Sequence, residues 1–110
     1  MFVDSHCHLD RVDLAPYQGD FDAMVASALA DGVQHMLCVC IDLEHYDAMR
    51  ELVAGRDAIS VSVGVHPNEQ SAREPSVEEL VALGADPAVV AIGETGLDYH
   101  YTQGDLDWQR

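Results

Sequence analysis

At 110 residues, 48% of them apolar, the chain has the size and content of one domain able to bury a core. Its formal charge is −15: lysine is absent, and Arg11, Arg50, Arg56, Arg73 and Arg110 stand against twenty acids. This excludes holding a polyanion by counterion release through a basic patch, so a nucleic acid would have to be held by metal cations, backbone amides or residues outside the chain. By itself the acidity speaks only for solubility. The three cysteines, Cys7, Cys38 and Cys40, are odd in number, and two lie in an apolar run. They read as free buried thiols in a reducing compartment. The N-terminus has no basic region followed by an apolar core, and no run is long enough to span a membrane. A cytoplasmic location without membrane contact is expected.

Met1-Phe2-Val3 and Leu9 flank Asp4-Ser5-His6-Cys7-His8 and suggest a short buried strand. Histidines one residue apart share a face only on extended backbone, so His6 and His8 would project together from the strand's C-terminal end. Asp4 shares their parity and could add a weak third ligand or an orienting contact, whereas Ser5 and Cys7 face away. A polar loop follows from Arg11 to Gly19. Asp20 is placed to N-cap a helix with Phe21, Met24, Val25, Ala28 and Leu29 at helical spacing, stopped by Gly32. Val33 to Ile41 is a nearly continuous apolar run, the pattern of a strand covered on both faces.

A second helix is predicted from Asp42 to near Gly55, with Leu43, Tyr46, Met49, Leu52 and Val53 on one side. The third strand, Ile59 to Val65, is rich in β-branched residues and ends at His66-Pro67. Ser76-Val77-Glu78-Glu79 matches a capping box, which predicts a helix with Leu80, Val81 and Leu83 running to Gly84. Ala88 to Ile92 is a fourth buried strand, leading into Gly93-Glu94-Thr95-Gly96. Strands alternating with helices are the rhythm of right-handed βαβ units, so the fold class is α/β with a parallel sheet.

In such folds chemistry sits beyond the C-terminal ends of the strands. His6 and His8 end the first strand, His66 the third, and Glu94 the fourth, which places them on one rim. A carboxylate such as Glu94 can join two cations through its two oxygens, and divalent metals bring the pKa of water toward neutrality. The competing reading is a surface glutamate in a Gly-rich turn. His66 could be a metal ligand, a donor to a substrate oxyanion or a structural residue. Asp98, Tyr99 and His100 follow Glu94 in the same rim loop and could shape the pocket, while His100 reads more readily as a solvated loop residue. His35 lies at the wrong end of its strand and His45 in the first turn of a helix, so both read as structural. Trp108 could begin another helix and receives no function.

Val3-Asp4-Ser5-His6-Cys7-His8-Leu9-Asp10, Gly64-Val65-His66-Pro67 and Ile92-Gly93-Glu94-Thr95-Gly96-Leu97-Asp98-Tyr99 resemble, in order and spacing, the N-terminal part of the TatD family of metal-dependent deoxyribonucleases. The resemblance covers essentially all of the chain. It implies a (β/α)8 TIM-type barrel related to the amidohydrolases, with residues 1–110 as a partial domain of about four parallel strands and intervening helices. It also implies two divalent metal ions, Mg²⁺ or Mn²⁺ with Zn²⁺ as an option, and cleavage of DNA, single-stranded by preference, by metal-activated water. The direction implied for the full-length protein is 3′ to 5′. His6 and His8 match the family's His-x-His metal ligands and Glu94 its shared carboxylate ligand. His66 matches a rim histidine near the substrate phosphate, so Glu94 and His66 would carry catalysis.

Family members are well over twice as long, and their remaining ligands and the rim aspartate lie in the second half. Four strands cannot close an eight-stranded barrel, so the chain reads as a fragment or partial gene product, inactive alone, whose open sheet edges are expected to associate with another copy. Two alternatives remain open at this stage. One is a related amidohydrolase-like enzyme acting on a small amide, lactone or phosphoester. The other is a non-catalytic, truncated metal-binding module.

Overall fold

The computed structural model describes residues 1–70 and 72–110. Strands β1 (Phe2–Cys7), β2 (Val33–Cys38), β3 (Ile59–Val63) and β4 (Val89–Ile92) form one sheet in the order β1-β2-β3-β4, each neighbouring pair parallel. Helices α1 (Phe21–Ala30), α2 (Tyr46–Val53) and α3 (Val77–Gly84) make the crossovers. This is the α/β alternation predicted from the apolar rhythm, and it accords with the N-terminal half of a TIM-type barrel.

Two of the three helices, α1 and α3, start where a side chain replaces a missing backbone acceptor. The Asp20 carboxylate takes the Ala23 amide at 3.1 Å, and Gly32, at φ +95°, turns the chain into β2. Phe21, Met24 and Val25 are buried, whereas Leu29 is 43% exposed. With about 100° of rotation per residue, Leu29 falls on the flank of the apolar stripe.

The second helix begins at Tyr46 and not at the predicted Asp42. The Asp42 carboxylate accepts the His45 amide at 2.8 Å and His45 Nδ1 at 2.7 Å, so these residues make a capping turn in place of a first helical turn. Ser76 Oγ caps α3 by accepting the Glu79 amide at 3.1 Å. Only half of the expected capping box forms, because the Glu79 carboxylate takes both Arg73 guanidinium nitrogens at 2.7 Å.

β3 holds the centre of the core, with Val61 and Val63 fully buried. The two outer strands are not buried as predicted: Phe2 and Val3 on β1, and Val90 and Ile92 on β4, are more than half exposed. The reason is topological, since each outer strand has a neighbour on one side only. β2 and β3 also stop earlier than predicted, at Cys38 and Val63. Residues 39–42 and 64–67 leave the ladder and build the rim.

The polar loop after β1 contains two short 3-10 turns, Leu9–Arg11 and Ala15–Tyr17, and Trp108 lies in a third, Asp107–Gln109. All three cysteines are free thiols, as expected. Burial pushes each thiol pKa up, that of Cys7 to about 12. No described helix is long and apolar enough to cross a membrane.

Candidate metal centre

Four of the predicted residues meet at the C-terminal rim of the sheet. His6 Nε2 lies 3.3 Å and His8 Nε2 3.8 Å from the same oxygen of Glu94, Oε2. His66 Nε2 lies 3.3 Å from the other oxygen, Oε1. The imidazoles thus approach the carboxylate from both of its oxygens, and Glu94 divides them.

Asp4 does not join them. Between Asp4, opposite Met36, and Cys7, opposite Cys38, β1 carries one residue more than β2, so a bulge breaks the strict alternation. The Asp4 carboxylate turns back to accept the His6 amide at 3.1 Å. His35 Nε2 lies 2.8 Å from Ser60 Oγ and His45 Nδ1 2.7 Å from Asp42 Oδ1, so each has a partner away from Glu94.

Three consecutive carbonyls after β2 position the site. Val39 O accepts His8 Nδ1 at 2.9 Å, Cys40 O accepts the Glu94 amide at 2.9 Å, and Ile41 O accepts the His66 amide at 2.7 Å. A carbonyl can only accept, so His8 carries its proton on Nδ1 and turns a free lone pair on Nε2 toward Glu94. His66 is in the reverse state. Its Nδ1 accepts the Asn68 amide at 2.9 Å, which leaves the proton of the neutral ring on Nε2. As neutral rings, His8 thus turns a lone pair and His66 a proton toward Glu94.

Beneath the carboxylate, the buried Ser62 hydroxyl accepts the Cys40 amide at 3.0 Å and donates to Gly93 O at 2.8 Å. It thereby joins the ends of β2 and β4 across β3. Gly64 lies so close to Gly93 that a Cβ would stand 2.8 Å from the Gly93 carbonyl carbon and oxygen. Only glycine fits at position 64 without displacing the segment that carries Glu94.

One ligand atom from each of His6, His8 and Glu94 lies within 4.8 Å of the others. Donors about 2.0–2.2 Å from a common ion can be up to roughly 4.4 Å apart, so a small rotation of one side chain brings all three onto a cation. Two neutral imidazoles and a carboxylate are a donor set for Zn²⁺, Mn²⁺ or similar ions, and the Val39 contact on His8 is the orienting bond such ligands usually have. The residues present thus fit a divalent metal.

A cleft of about 310 Å³ beside these groups is lined by His8, Arg11, Ile41, His66, Asn68, Glu69 and Glu94. A second cavity, of about 260 Å³, lies on the far side of His66 and is bordered by Pro67, Leu80, Thr95 and Trp108. Trp108 Nε1 is buried there without a hydrogen-bond partner among the described residues. Asp98 does not line either cavity. Its carboxylate accepts the Tyr101 and His100 amides, which hold it below the usual carboxylate range and shape the loop after β4.

The family model described as TatD related DNase matches residues 3–110. The chain belongs to this family. It is 48% identical over 101 residues to YcfH of Escherichia coli strain K12, named a metal-dependent hydrolase, covering 91% of this chain and 37% of that protein. It is 31% identical over 111 residues to YabD of Bacillus subtilis strain 168, named likewise, covering 100% of this chain and 42% of that protein. With the TatD protein of Klebsiella pneumoniae strain 342, named a 3′-5′ ssDNA/RNA exonuclease, it shares 35% identity over 85 residues, covering 76% of this chain and 32% of that protein. The chain thus spans about a third to two fifths of the length of these relatives.

Sequence reasoning missed Ser62 and the carbonyls of residues 39–41. Carbonyls leave no trace in residue type. Ser62 was legible only as a polar residue inside an apolar strand.

Proposed function

We propose that the protein carrying this chain is a metal-dependent nuclease that hydrolyses phosphodiester bonds of single-stranded DNA from the 3′ end. The carrying observation is the division of Glu94: Oε2 toward His6 and His8, Oε1 toward His66. His6, His8 and Glu94 are proposed as the metal ligands, two ions being the number the shared carboxylate suits. Divalent cations held there would offset phosphate charge and make water more acidic.

The remaining chemistry belongs to the chain. His8, fixed by Val39 O, presents a lone pair without reorganising. Glu94 is set in place by Cys40 O and, through Gly93, by Ser62. His66 holds a proton on Nε2, 3.3 Å from Glu94 Oε1, and can donate it to a non-bridging phosphate oxygen, which makes it a substrate donor and not a ligand. The exonuclease name of the Klebsiella relative supports the choice of substrate. The free thiols suit a cytoplasmic enzyme. The isolated chain is proposed to be inactive and to self-associate through the open edges of β1 and β4, where Phe2, Val3, Val90 and Ile92 are exposed.

The test uses the full-length protein with 3′- and 5′-labelled single-stranded DNA in Mg²⁺ or Mn²⁺. Shortening from the 3′ end that is lost in Glu94→Ala supports the reading. Equal cleavage by that variant removes it. Turnover of a small amide or lactone with no cleavage of DNA would move the assignment to a related hydrolase.

A further inference from the structure

The chain has five arginines, and four are engaged in close ion pairs: Arg50 with Asp86 at 2.7 Å, Arg73 with Glu79 at 2.7 Å, Arg110 with Asp107 at 2.8 Å, and Arg56 with Asp22. Arg11 differs. Its Nη2 stands 3.8 Å from Asp42 Oδ2, and its guanidinium makes no hydrogen bond among the described residues. It is also the one arginine lining the cleft that holds His8, His66 and Glu94.

Its position follows from the fold. Arg11 ends the 3-10 turn that starts just after His8, and its amide donates to His8 O at 2.9 Å, so ligand and guanidinium are carried by one rigid turn. Asp42 is buried to 7% exposure and is fixed by the His45 amide and ring. It therefore offers Arg11 a fixed electrostatic anchor, while the loose contact leaves the five guanidinium N–H groups free for an oxyanion such as phosphate. Arg11 forms no ion pair with Glu94 among the described residues, so it stands along the cleft from the metal centre and not in it. Glu69 and Glu94 make the same cleft acidic, so an anion needs a cation beyond the metals to extend along it.

We propose that Arg11 is a substrate-binding residue that takes a non-bridging oxygen of the backbone phosphate next to the one at Glu94, with Asp42 as its positioning residue. The proposal rests on the nuclease reading for its ligand. A single directed cation of this kind also suits a chain whose overall charge repels nucleic acid.

The experiment measures binding of a fluorescent phosphorothioate oligothymidylate, which resists hydrolysis, to the full-length protein in Mn²⁺ by anisotropy. Arg11→Gln is expected to raise Kd about tenfold and to lower the slope of log affinity against log salt by about one; Arg11→Lys keeps the slope and part of the affinity. An uncharged methylphosphonate at the neighbouring linkage should weaken wild-type binding by a similar factor and add nothing in Arg11→Gln. A Kd within twofold of wild type in Arg11→Gln, additive losses, or no binding by the wild type overturns the proposal. Cleavage of the unmodified oligonucleotide is scored apart. Arg11-dependent binding without cleavage removes the nuclease reading alone, and cleavage with binding indifferent to Arg11 removes this site alone.

Discussion

His8 and His66 face the two oxygens of Glu94 in opposite tautomers. His8 gives its Nδ1 proton to Val39 O and presents a lone pair, whereas His66 accepts the Asn68 amide on Nδ1 and presents a proton. Two histidines that residue type cannot tell apart are thus sorted by one backbone group each. On the proposed metal role, His8→Ala should lower Zn²⁺ affinity at least tenfold and His66→Ala less than about threefold, as read by isothermal titration. Equal losses in the two variants would contradict the sorting.

Gly64 and Gly93 touch backbone to backbone, and this contact sets where Glu94 sits. Gly64→Ala should destabilise the fold by about 1–3 kcal/mol through overpacking, and metal affinity should fall with it. Urea melts of wild type and variant check the first part. An unchanged midpoint would show that the segment after β4 yields freely.

Much of this was legible in the sequence, and the failures have local causes. Helical spacing and caps at Asp20 and Ser76 located α1 and α3, because those signals act within one turn of chain. The rim positions of His6, His8, His66 and Glu94 followed from strand ends alone. Asp4 misled because a bulge is a property of two paired strands and not of one. Asp42 misled because its carboxylate competes for the amide that would have begun the helix. The exposure of β1 and β4 could not be read, since their apolar residues match those of the central strands and only sheet order separates them.

The Ser62 hydroxyl satisfies two buried backbone groups at once, the Cys40 amide and the Gly93 carbonyl. Ser62→Ala leaves both without a partner and should cost about 1–3 kcal/mol. Chemical denaturation gives the number, and amide exchange at Cys40 should quicken. A loss below about 0.5 kcal/mol, less than a typical net hydrogen bond, would mean that neither bond matters to the fold.

On the opposite rim, the Arg50 guanidinium bonds both oxygens of Asp86 at 2.7 and 3.2 Å and holds its carboxyl below the usual range. A depressed carboxylate contributes stability above its unfolded pKa, about 3.9, and loses it as pH falls through the folded value. The melting-temperature gap between wild type and Asp86→Asn should therefore stay level from about pH 7 to 5 and close below about pH 4. A gap that widens in acid would reverse the assigned sign.

The convergence of His6, His8 and Glu94 on one cation is the central claim, and anomalous diffraction at the zinc edge from crystals grown with Zn²⁺ tests it most directly. The account predicts an anomalous peak with His6 and His8 nitrogen and Glu94 oxygen about 2.0–2.2 Å away. A peak that leaves Glu94 outside the coordination sphere, or zinc bound elsewhere with this cluster empty, would contradict it.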